Sequence, residues 1–128
     1  MGRPAAKELT QRELEVMHVF WQHEEITASE ARDLLSQSGI DRAYVTVANL
    51  VRALVEKGYL QATNHERPFV YRSMRSFEDV SKSFVGDLVQ RVFQGSREQL
   101  LVQLLGKRKK LTAAERDFLQ QILKEQEQ

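Results

Sequence analysis

The chain has 128 residues, 41% hydrophobic and 29% charged, with a formal net charge of +1 and no cysteine. This length suits one compact domain or a small domain with an appendage, and the balance marks a folded chain rather than a disordered one. Without cysteine there are no disulfides, thiolate metal sites or cysteine nucleophiles, which fits a reducing cytoplasm.

No apolar run approaches the roughly 18 to 20 residues that span a bilayer. The opening MGRPAAKELTQ lacks the apolar core of a signal peptide, so a cytoplasmic protein with no direct membrane insertion is expected. Charge is unevenly spread. Residues 1–41 hold four Lys/Arg against eight Asp/Glu, residues 42–75 hold six against two, and residues 76–128 hold nine against eight. The positive excess therefore falls in the middle of the chain, where a polyanion would be gripped locally.

Glycine and proline are scarce and no stretch alternates with period two, so a mainly helical chain is expected. Helix starts are marked by Ser/Thr followed three residues later by Glu/Gln, the capping-box pattern. Thr10 with Glu13 opens a first helix whose Leu14, Met17, Phe20 and Trp21 face inward. Thr27 with Glu30 opens a second, with Ala31, Leu34 and Leu35 inward and an end near Gly39. Asp41 is placed to cap a third helix, Arg42 to Lys57, with Val47, Leu50, Val51 and Leu54 at the i, i+3, i+4, i+7 spacing of a buried face. Gly58 suits a left-handed stop. YLQAT and FVYRSM are β-prone runs around the polar turn NHERP, a hairpin signal. Three helices and a hairpin, in that order, form the plan of a winged helix-turn-helix, so residues 1–75 are expected to make that domain.

Residues 76–128 return to helix. Ser76 caps a helix carrying Phe84 and Leu88, Ser96 with Gln99 starts REQLLVQLLG, and Thr112 with Glu115 starts the last. About fifty residues cannot close a large core alone. Burial of Phe84, Leu88, Leu101, Leu104, Phe118 and Ile122 against a second copy makes a two-fold homodimer; packing back onto the first domain is the alternative. The fold class expected is mainly α with a small β-hairpin: a winged-helix domain plus a helical dimerisation region.

On a wheel of 100° per residue the third helix sets Val45, Asn49 and Arg52 opposite its apolar face, with Arg42 and Thr46 flanking. In a helix-turn-helix this face enters the major groove of double-stranded DNA. Asn pairs with adenine edges, Arg with guanine or phosphate, and a valine meets a thymine methyl. A solvated face with one stray valine is the plainer reading. Arg67 and Arg72 of the hairpin, ahead of Arg75, suit phosphate contacts that set register. The basic run Lys107 to Lys110 reads as a solvated turn, with contact to flanking DNA the alternative.

The motifs LTQRELEVMHVFW, ITASEARDLL, AYVTVANLVRALVEKGYL and FVYRS, with the tail LTAAERDFLQQIL, resemble the BlaI/MecI penicillinase-repressor family over nearly the whole chain. The resemblance implies a dimeric winged-helix repressor on a palindromic operator, released when a membrane sensor-protease acting as antirepressor brings about its cleavage. It places Thr46 and Asn49 at DNA-facing positions and Arg52 at a common basic one. Ala53 departs from the arginine usual in the family. Gln103-Leu104 stands where the staphylococcal members have a cleaved Asn-Phe pair, and the cysteine pairs of copper-responsive relatives are missing.

No glycine-rich phosphate loop, nucleophile motif or HExxH pattern occurs, and His18 and His23 are poorly spaced for shared ligation. Neither a catalytic site nor a metal or cofactor is expected. Two other readings remain: a winged helix that binds protein and no DNA, and a regulator with a small-molecule pocket.

Overall fold

The computed structural model describes residues 9–106 and 112–126. The basic run 107–110 lies outside the described residues. Along the chain run α1 (Gln11–Gln22), β1 (Ile26–Thr27), α2 (Ala28–Gln37), α3 (Tyr44–Glu56), β2 (Leu60–Ala62), β3 (Val70–Ser73), α4 (Phe77–Arg91), α5 (Arg97–Leu105) and α6 (Ala113–Gln126). This is a winged helix-turn-helix followed by a helical region, as the sequence implies.

Capping chemistry sets where several helices begin. At α1 and α2 the capping boxes are complete: Thr10 and Thr27 accept from the backbone N–H of Glu13 and Glu30, whose carboxylates accept from the threonine N–H at 2.8 Å. Helix α3 starts later than expected. Its N-cap is Ala43, with no side-chain hydrogen bond. Asp41 stands two residues too early to reach the first-turn amides, and Arg42 is drawn back onto α1. Gly58 follows α3 at φ +86°, a conformation that disfavours side chains with a Cβ, and reverses the chain into β2.

The hairpin gains a third member. β1 pairs antiparallel with β3 (Ile26 opposite Tyr71) and β2 pairs with its other side (Leu60 opposite Ser73), giving the order β1-β3-β2. A two-residue strand leaves no alternation to read, which is why β1 escapes a sequence pattern.

The chain divides into two compact units, residues 1–87 and 88–128. The first extends beyond residue 75 because Val80, in α4, is fully enclosed in its core and Phe84 packs partly against it. That core joins Val16, Met17 and Phe20 of α1, Ala31 and Leu35 of α2, Val47, Val51 and Leu54 of α3, and Tyr59 and Leu60 beyond it. Leu14, Trp21, Leu34 and Leu50, expected inward, are half-buried at its margin, while Val16 and Val19 are buried instead. In the second unit α5 buries none of its residues. Leu88, Leu101, Leu104 and Phe118 are exposed; the side chain of Ile122 lies outside the described residues. Among the described residues no helix is long and apolar enough to cross a membrane.

Candidate nucleic-acid interface

Burying Val47, Val51 and Leu54 fixes which side of α3 faces out. Val45 is 66% exposed and Tyr44 51%, and Asn49 and Arg52 are exposed on the same side. Thr46 is half-buried at the flank. The helix thus presents two neighbouring outer stripes: Val45, Asn49 and Arg52, and Tyr44, Ala48, Arg52 and Val55. An exposed tyrosine and valine side by side gain nothing from water, whereas base edges and methyl groups offer both apolar and hydrogen-bonding surface.

The second stripe forms one wall of a groove of about 810 Å³. Its floor is the start of α2, with Thr27, Ala28 and Ser29. The far wall is the wing, with Arg67, Pro68, Phe69 and Tyr71. Arg52 and Arg67 therefore flank the same depression. Neither has an ion-pair partner among the described residues, and the Arg67 guanidinium lies 5.7 Å from the centre of the Phe69 ring. Asn64 shapes the wing turn: its amide donates to Glu66 and Pro68 carbonyls, and its Oδ1 accepts from the Val70 N–H at 2.9 Å.

The arginines named from the sequence are not all gathered here. Arg72 alternates with Tyr71 along β3 and so lines a separate depression with Trp21, Met74 and Phe77. Arg75 lies 5.0 Å from the centre of the Tyr59 ring. Arg42 precedes α3, and its Nη2 donates to Glu15 at 2.9 Å. Tyr44 was missed; the 44, 48, 52, 55 spacing marks it as a second outward stripe.

The acids that hold α3 belong to α1. Glu13 is 4% exposed and receives the Lys57 ammonium at 2.8 and 3.1 Å. Burial alone pushes the Glu13 carboxyl up, but hydrogen bonds from Lys57 and the Thr10 N–H, with the lysine charge, together hold it below its usual 4.5.

A family model described as penicillinase repressor matches residues 9–125. Among solved structures, the chain is similar to the DNA-binding domain of the repressor BlaI, determined in solution. Identity is 28% and the TM-score 0.51, over 61% of this chain and 93% of that one. It is also similar to hsRosR-SG, solved in a complex, at 15% identity and a TM-score of 0.55 over 96% of each chain; at that identity the likeness is one of fold. No curated protein sequence matches it significantly.

Proposed function

Because the chain belongs to the penicillinase repressor family, we propose that it is a sequence-specific, DNA-binding transcriptional repressor acting as a homodimer on a palindromic operator. The observation that carries this reading is the outward face of α3, where an exposed valine, asparagine and arginine stand beside a groove walled by the wing arginine. In use, Val45, Thr46 and Asn49 read base edges in the major groove, while Arg52 and Arg67 grip phosphates on either side of the groove. Arg72 contributes from the neighbouring surface. Two copies related by a two-fold axis place two such helices about one DNA turn apart, which matches half-sites in a palindrome. Occupancy of a promoter then excludes polymerase.

The exposed apolar residues Leu88, Leu101, Leu104 and Phe118 support assembly through the second unit; Phe84 serves it only in part. Release follows proteolysis triggered by a membrane sensor-protease. The Gln103-Leu104 bond is exposed but lies within α5, so α5 unwinds before a protease can hold it extended. Within a single chain α5 buries none of its residues, so it opens at little cost once the partner copy has left it.

The test is an electrophoretic shift and footprint on the DNA upstream of the protein's own gene. A protected, two-fold-related site that loses affinity steeply as salt rises is expected. Failure to bind that DNA, or any duplex selected from a random pool, would leave the protein-interaction reading in its place.

A further inference from the structure

Helix α3 is tied to α1 by charge at both ends. Lys57, its C-cap, meets Glu13, and Arg42, just before its N-cap, meets Glu15. The two acids are two residues apart and so turned by about 200° on their helix, reaching opposite ends of α3. The two pairs differ in setting. Glu13 is also locked into the capping box of α1, whereas the Glu15–Arg42 pair is the only side-chain hydrogen bond found among the described residues at the N-terminal end of α3, which lacks a side-chain cap.

Arg42 lies just ahead of α3, close in sequence to Val45 and Asn49, which would ordinarily make it one more contact to DNA. Its surroundings argue otherwise. The side chain is 24% exposed, Nη2 is engaged by Glu15, and Nε is buried without a hydrogen-bond partner among the described residues. Turning the guanidinium away from α1 to grip a phosphate would break a charge-assisted bond. It would also leave the Glu15 carboxylate unpaired near the polyanion, a repulsive arrangement.

We propose that Arg42 is a positioning residue: through Glu15 it sets the placement of the N-terminal turn of α3, and thereby base selectivity at Val45 and Asn49, without touching DNA. This rests on the reading of α3 as the DNA-facing helix. The couple acts as one unit, so removing either member displaces the same turn. It contributes nothing to phosphate binding.

The experiment compares wild type, Glu15→Gln, Arg42→Ala, the double variant, and the exchanged pair Glu15→Arg with Arg42→Glu. Binding is measured by fluorescence anisotropy against a duplex selected by wild type and a scrambled one. Each single variant is expected to lose preference for the selected duplex by roughly tenfold, with the double variant no worse than either. Exchange restores most of the preference. The slope of log affinity against log salt stays at the wild-type value, and in the DNA-free protein the amide resonances of Val45 and Asn49 shift in Glu15→Gln. The proposal is overturned if Arg42→Ala lowers the salt slope by about 0.9, one phosphate contact, weakening both duplexes alike, while Glu15→Gln tightens binding. A wild-type chain that binds no duplex defeats the DNA reading instead; unmoved Val45 and Asn49 resonances would then defeat the couple separately.

Discussion

Helices α3 and α5 are both rich in apolar residues, yet they spend them differently. In α3, Val47, Val51 and Leu54 are almost wholly enclosed, and the exposed Tyr44 and Val45 stand out against a finished core. In α5, Leu101, Val102, Leu104 and Leu105 are all between 41% and 67% exposed. An amphipathic helix that closes a core makes its outer face informative, because an apolar residue there is not needed for folding. A helix with no covered face makes no such distinction, and its leucines speak only of something that must cover them. The difference between the two helices predicts opposite responses to the same kind of mutation.

The largest effect expected is from Leu54→Ala. Truncating a fully enclosed leucine removes buried methyl groups and leaves a cavity, costing about 2–5 kcal/mol in urea unfolding. Leu104→Ala, at a 67% exposed site, should stay within about 0.5 kcal/mol when the chain is dilute. Leu104→Asp instead is expected to move the sedimentation coefficient from two copies toward one. Equal unfolding penalties at positions 54 and 104 would erase the contrast, and an unchanged sedimentation coefficient would remove α5 from the dimer.

Next come α3 and the wing beside it. Asn49→Ala should cost about 1–3 kcal/mol of discrimination at one base pair, with thermal stability unchanged. Arg67→Ala should weaken selected and scrambled duplexes together and reduce the salt slope by about 0.9. A loss of base discrimination in Arg67→Ala with an unaltered salt slope would place the wing arginine among the base readers.

The buried acid beneath α3 makes the first unit sensitive to acid. The Glu13 carboxyl is held below 4.5 in the folded chain. Its contribution to stability is therefore complete above the unfolded value and is lost as pH falls through the lower, folded one. Urea titrations are expected to show a steeper loss of stability below about pH 4.5 in wild type than in Glu13→Gln. Parallel curves would mean that Lys57 gains as much from a neutral partner.

Most of the fold was legible because capping residues, apolar spacing and glycine act within a few positions of one another. Thr10 with Glu13 and Thr27 with Glu30 announce their helices, and Gly58 its stop. What escaped was set by distant neighbours. Arg42 is 27 residues from Glu15, and no local pattern tells an arginine bound for phosphate from one bound for a carboxylate. Glu13 reads as a cap, but Lys57 reaches both of its oxygens across 44 residues, the capping one included. In the same way β3 alternates Tyr71 with Arg72, and only the sheet reveals which of them shares a groove with α3. The candidate face was legible as one side of a helix; which arginines line the same groove was not.

The smallest effect compares one capping motif in two settings. Thr27 and Thr112 both accept from a backbone N–H three residues on at 3.1 Å, and Glu30 and Glu115 both answer. Replacing a threonine cap by alanine typically costs about 1 kcal/mol. At Thr27 that cost falls on a helix whose Ala31 and Leu35 are locked in the core, and whose cap residue also pairs with Val70 in the sheet. The loss therefore passes to the cooperative unfolding of the first unit and lowers its urea midpoint. At Thr112 the cap begins a helix whose described side chains are all exposed, so the same loss should appear as faster amide exchange in α6 with the first unit's midpoint unmoved. A lowered midpoint in Thr112→Ala would show that α6 unfolds together with the winged-helix core.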